Sequence, residues 1–144
     1  MTASMRYLTP RSSPRRKHKE KRTPVARIVI VDDDKTFRRL LVTVLELEGH
    51  EPVAVTEPDE IIATVRQEEP ALLLMDVHIG NQDTLGPLRD LRDDEALKDI
   101  PVIMTSGMDR RQECLDAGAD RFVMKPFRPS EMIATIGELI QPAD

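Results

Sequence analysis

Five side chains able to do chemistry fall at the ends of apolar runs. Asp32 and Asp33 follow Ile28-Val29-Ile30-Val31, Asp76 follows Leu72-Leu73-Leu74-Met75, Ser106 follows Val102-Ile103-Met104-Thr105, and Lys125 follows Phe122-Val123-Met124. Carboxylates brought together repel one another unless a cation or a proton relieves them, and hard oxygen ligands on a loop edge suit Mg²⁺. Add a hydroxyl and an ammonium, and the set fits phosphoryl transfer: metal and Lys neutralise the phosphoryl oxygens while an Asp acts as nucleophile and forms an acyl phosphate. Each residue also has a plainer use. Asp33 or Asp34 can cap the following helix, Asp76 a loop and Ser106 a turn, and Lys125 can be a surface charge. Three acids in a row exceed what a cap needs, and the joint placement at four strand ends is what favours chemistry.

To bring those ends to one edge the chain must alternate strand and helix, and its pattern does so from Val25 onward. After the first strand, Phe37, Leu40, Leu41, Val44, Leu45 and Leu47 recur at helical spacing, and Gly49 supplies a left-handed stop. Pro52-Val53-Ala54-Val55 reads as a short second strand. Thr56 with Asp59 resembles a capping arrangement for a helix carrying Ile61, Ile62 and Val65, ended by Pro70. The run from Ala71 to Met75 has no polar alternation, as expected of a central strand covered on both faces. A loop to Asp83 leads to a third helix with Leu85, Leu88 and Leu91 on one face, Gly86-Pro87 being tolerable in its first turn. A fourth strand, 101–105, a helix over 109–117 closed by Gly118, a fifth strand, 121–124, and a last helix opened by Pro129 complete the pattern. Met132, Ile133, Ile136, Leu139 and Ile140 face inward from that last helix. Five βα units with right-handed crossovers predict an α/β fold, a doubly wound five-stranded parallel sheet of the (βα)5 flavodoxin-like kind.

Composition bounds the setting. The 144 residues suit one core, built from aliphatic layers because the chain has no Trp, three Phe and one Tyr. One Cys excludes an internal disulfide, and three scattered His offer no zinc spacing. No stretch approaches a membrane span of roughly 20 apolar residues, and the N-terminus lacks an apolar secretory segment, so a reducing, cytoplasmic setting is expected. Residues 1–24 hold eight Lys or Arg against Glu20, a charge of +7, which leaves −12 on the rest of a chain whose net charge is −5. We read residues 1–24 as a basic disordered arm and 25–144 as the folded domain. Nucleic acid is not an expected partner of so acidic a body, although the arm leaves that open, and no membrane insertion is expected.

The segments IVIVDDD, LLLMD, IPVIMTSG, AGAD and FVMKPF resemble the receiver domain of two-component response regulators, over about residues 25 to 142. The resemblance implies a phosphoacceptor at Asp76, phosphorylated with Mg²⁺ by a histidine kinase or phosphotransfer protein. It implies Asp33 as a direct metal ligand, Asp32 acting largely through a metal-bound water, and the backbone carbonyl of His78 as a further ligand. Ser106 matches the switch hydroxyl, Phe122 the switch aromatic and Lys125 the phosphoryl-contacting Lys, and the Lys125-Pro126 bond is expected to be cis. Phe122 can equally be a core aromatic. With no effector domain after the last helix, the chain is expected to act as a stand-alone receiver that binds a protein target through its fourth helix, fifth strand and fifth helix.

Two positions depart from the family pattern: Gly80 and Thr84 stand where Pro and Gly are usual. Loss of that Pro is expected to free the loop, and loss of that Gly to remove a permissive turn position. Two rivals remain. Asp32, Asp34 and Thr36 also fit the DxDxT opening of haloacid-dehalogenase-like phosphatases, with Asp32 as nucleophile, though Asp76 would then go unexplained. A pseudo-receiver, a binding module without phosphorylation, would keep the fold and lose the switch.

Overall fold

The sheet order follows from how the apolar runs are covered. In the computed structural model, which describes residues 25–140, β1 (Arg27–Val31), β2 (Glu51–Val55), β3 (Leu72–Asp76), β6 (Val102–Ser106) and β7 (Arg121–Met124) form one parallel sheet in the order β2-β1-β3-β6-β7. The expected basic arm, residues 1–24, lies outside the described residues. Successive strand residues point to opposite faces, so each face of the sheet needs its own apolar cover. On one face Ile28, Ile30, Leu72, Leu74 and Ile103 pack with α1 (Lys35–Leu47) and α5 (Pro129–Leu139). On the other Val29, Val31, Leu73, Met75 and Met104 pack with α2 (Ile61–Glu68), α3 (Leu85–Asp93) and α4 (Arg111–Ala117). Burial on both sides is why β1 and β3 read as unbroken apolar runs, and the outcome is the expected flavodoxin-like fold.

Most of the expected inward residues are inward: Leu41, Leu45, Leu85, Leu88, Leu91, Met132 and Ile136 are buried. Leu40 and Leu47 are not, at 46% and 80% exposed, because the stripe on α1 that meets the sheet is narrower than the apolar spacing suggested. Gly49 and Gly118 end α1 and α4 with φ of +88° and +115°. Thr56 caps nothing: a short 3₁₀ turn, Pro58–Glu60, intervenes before α2, and neither has a side-chain cap. The expected loop to Asp83 contains a two-stranded antiparallel hairpin, β4 (His78–Ile79) and β5 (Gln82–Asp83). No helix among the described residues is long and apolar enough to cross a membrane.

Candidate functional site

The central strand delivers Asp76 to the middle of the carboxyl edge, and its neighbours deliver the rest. Asp32 and Asp33 arrive from β1, beside β3; Ser106 ends β6, on the other side; Lys125 follows β7. Carboxylate oxygens of Asp32, Asp33 and Asp76 lie within 4.8 Å of one another. The Lys125 ammonium sits between two of them, its Nζ 2.9 Å from Asp32 Oδ2 and 2.7 Å from Asp76 Oδ2. Its Nζ also lies over the Phe37 ring, 4.3 Å from the centroid, and that ring meets Phe127 edge-on. The Lys125-Pro126 bond is cis.

Asp32 is 2% exposed and fully engaged: Oδ1 accepts from Asp34 N–H at 2.9 Å and Oδ2 from Lys125. Burial pushes its carboxyl above the ordinary range, against the pull of the Asp34 N–H and of Lys125. Burial alone would lower the Lys125 ammonium, but hydrogen bonds to Asp76 and Asp32 outweigh it and hold the group above its usual value. These three carboxylates could hold a cation, and such hard oxygen donors suit Mg²⁺ better than a softer metal. Asp34 is a helix cap: its side chain accepts from Phe37 N–H at 3.0 Å. That cap accounts for Asp34 without the chemistry that the DxDxT phosphatase reading would give it.

Ser106 is 1% exposed, and its Oγ accepts from Met108 N–H at 3.1 Å. A Cβ added at Gly107 would meet open space. Phe122 is 5% exposed and belongs to the core beneath α4, with the Arg111 guanidinium 5.3 Å from its ring centroid. Phe122 is thus a core aromatic, paired across the sheet with Met104, two residues before Ser106. His78 donates its N–H to Asp76 Oδ1 at 3.1 Å.

The hairpin corrects the expectation that the loop is freed. Gly80 takes φ of +62° at the hairpin tip, and its N–H donates to Asp33 Oδ2 at 2.6 Å, a bond that Pro could not make. Thr84 is wholly buried, and its Oγ1 donates to the Asp76 carbonyl at 2.8 Å, a bond that Gly could not make. Each departure thus ties the loop to one of the site's acids. Sequence reasoning marked both positions as losses because side-chain and amide partners across the loop leave no local signature. It missed Arg38, which donates to the Asp32 carbonyl at 2.9 Å, and Arg110, which holds the hairpin's base. Neither lies at a strand end, and nothing in its neighbours' spacing singles it out.

Comparison with known proteins places this geometry. Residues 28–137 match the family described as the response regulator receiver domain. Over 121 residues the chain is 34% identical to the probable transcriptional regulator ycf27 of Pyropia yezoensis, covering 82% of this chain and 49% of that protein. It is 30% identical over 117 residues to the phosphate regulon transcriptional regulatory protein PhoB of Pseudomonas aeruginosa, covering 79% and 51%. The chain therefore spans about half the length of the curated relatives it matches. A putative response regulator from Chloroflexus aurantiacus superposes with a TM-score of 0.76 at 26% identity, covering 81% of this chain and 98% of that one. The chemotaxis response regulator CheY4 of Vibrio cholerae, at 21% identity and TM-score 0.75 over 81% and 99% of the two chains, shares the fold. Because the family match runs from the second residue of β1 nearly to the end of α5, this chain belongs to the receiver domains of two-component response regulators.

Proposed function

We propose that the domain is a phosphoacceptor switch in which Asp76 takes a phosphoryl group from a histidine kinase or phosphotransfer protein. The observation that carries this reading is the Lys125 ammonium held at 2.7 Å from Asp76 beside a three-carboxylate cluster. An Asp76 oxygen attacks phosphorus and the donor's N–P bond breaks, its electron pair staying on the departing imidazole. The product is an acyl phosphate on Asp76, and the domain acts as a signalling acceptor rather than on a free substrate. Lys125, already in contact with the nucleophile, offsets charge on the arriving phosphoryl oxygens. Asp33, Asp32 and Asp76, with the His78 carbonyl, would hold Mg²⁺, Asp33 directly and Asp32 largely through water. Bound there, the ion screens the carboxylate from phosphoryl charge and orients an oxygen.

Ser106 reports the change. Its Oγ now accepts a neutral N–H, whereas a phosphoryl group would draw a charge-assisted bond from the hydroxyl, worth about 1.5–3 kcal/mol. That difference shifts a two-state loop equilibrium roughly ten- to a hundredfold. Phe122, under the moving segment, passes the shift to the face made by α4, β7 and α5. Met108, Leu115 and Met124 are 58%, 38% and 43% exposed on or beside that face, which suits a protein target. Cytoplasmic placement follows from such a donor. A DNA target is not part of this reading, and the basic arm, outside the described residues, leaves that question to experiment.

Incubation of the full chain with a small acyl-phosphate donor and Mg²⁺, followed by mass spectrometry, tests the reading. Label is expected on Asp76 only with Mg²⁺, is lost in Asp76→Asn, and falls together with metal affinity in Asp33→Asn. Wild-type yield in Asp76→Asn would overturn it, and no label in the wild type would leave an inert pseudo-receiver.

A further inference from the structure

Arg110 takes no part in the reaction above, yet its guanidinium is the most heavily engaged cation described at the rim of the site. It immediately precedes α4 and is 17% exposed. Nη2 lies 3.1 Å from Asp83 Oδ2, Nη1 lies 3.2 Å from His78 Nε2, and Nε is directed at Glu113 on α4. A guanidinium only donates, so in this contact His78 Nε2 is the acceptor. His78 and Asp83 are paired across the β4–β5 hairpin, at its base. One planar cation therefore grips both strands where they leave the sheet, and the same cation is fastened to α4.

The hairpin meets the carboxylates at both ends: at its tip Gly80 N–H is on Asp33, and at its base His78 N–H is on Asp76. Whatever fixes the hairpin's base thus fixes the setting of two site acids and of the His78 backbone between them. We propose that Arg110 is a positioning residue for the metal site: its grip on His78 and Asp83 holds the hairpin at the spacing that Mg²⁺ binding needs. The inference rests on the phosphoacceptor reading and adds to it a residue outside the reacting groups. An isolated exposed Arg–Asp pair contributes little. Arg110 differs because its fork spans two acceptors on a segment two residues from Asp76, and partners that orient metal ligands commonly alter affinity about 10- to 100-fold.

The test is the Mg²⁺ affinity of the full chain by calorimetric titration, with thermal unfolding recorded in parallel. Arg110→Ala is expected to weaken Mg²⁺ binding about tenfold while unfolding stays cooperative. Asp83→Asn keeps the oxygen that accepts from Leu85 N–H and removes the charge facing Arg110, so it should weaken binding in the same direction. The Arg110→Ala/Asp83→Asn double variant should be no weaker than Arg110→Ala, because both changes break one link. Arg110→Lys should recover only part of the affinity, since an ammonium lacks the fork. Wild-type affinity in both single variants would overturn this proposal and leave the phosphoacceptor reading standing. A wild-type chain that binds no Mg²⁺ would overturn both.

Discussion

Thr84 Oγ1 donates to the backbone carbonyl of Asp76 at 2.8 Å, joining the end of the hairpin loop to the end of the central strand. The same hydroxyl lies 3.2 Å from the Val77 carbonyl, and the side chain is wholly buried. A residue that departs from the family pattern has become the fastening between the candidate nucleophile's strand and α3.

Thr84→Val keeps the shape and deletes the hydroxyl, so the Asp76 carbonyl loses that donor while the Val77 carbonyl keeps the Thr84 N–H. We expect a loss of about 1–3 kcal/mol in urea unfolding. Thr84→Ser, which keeps the hydroxyl, should lose less. Equal losses in the two variants would show that packing of the methyl, not the hydrogen bond, is what matters.

Lys125→Ala removes the ammonium between Asp32 and Asp76 and leaves their charges facing one another. In chelator the variant should be less stable than wild type by about 1–3 kcal/mol. Saturating Mg²⁺ should shrink that deficit, because a second cation then serves the same carboxylates. Thermal melts with and without Mg²⁺ check this; a deficit that grows with Mg²⁺ would mean that the two cations do not share a site.

His50 is 5% exposed, and its Nδ1 accepts the Ala26 N–H at 3.0 Å. Burial holds the imidazole below its ordinary value of 6.5. The unfolded chain therefore binds the proton first, so stability present above about pH 6.5 is lost as the pH falls toward the folded-state value. Acid titration of unfolding free energy should show a drop in that window that is reduced in His50→Gln. Identical pH profiles would exclude His50 as its source.

Gly118 supports an arginine at the other end of the sheet. Its φ is +115°, and an added Cβ would stand 2.6 Å from Arg92 Cγ. Arg92 in turn donates to the carbonyls of Gly118, Lys98 and Ile100 and pairs with Asp120 at 3.0 Å. Gly118→Ala should cost about 1–3 kcal/mol for the backbone alone. Labelling of Asp76 by an acyl-phosphate donor should persist at temperatures where the variant remains folded, which separates this strut from the site.

The sequence by itself determined the alternation of strands and helices, the order of the chemistry along the chain and the acids at the ends of β1 and β3. Apolar runs bounded by polar residues express burial directly, and an acid following such a run must emerge at its edge. It also placed Gly49 and Gly118, where helix ends need positive φ. Tertiary structure alone decided which face of α1 is covered, leaving Leu40 and Leu47 outside, because coverage depends on the neighbours that pack there. It alone decided what Gly80 and Thr84 do. Read along the chain they are missing Pro and Gly; folded, an amide meets Asp33, 47 positions away, and a hydroxyl meets the Asp76 carbonyl. Arg110 is the clearest case. Its role comes from 32 residues' separation to His78 and 27 to Asp83, and a side chain long enough to choose among many partners carries no mark of its choice until the fold presents them.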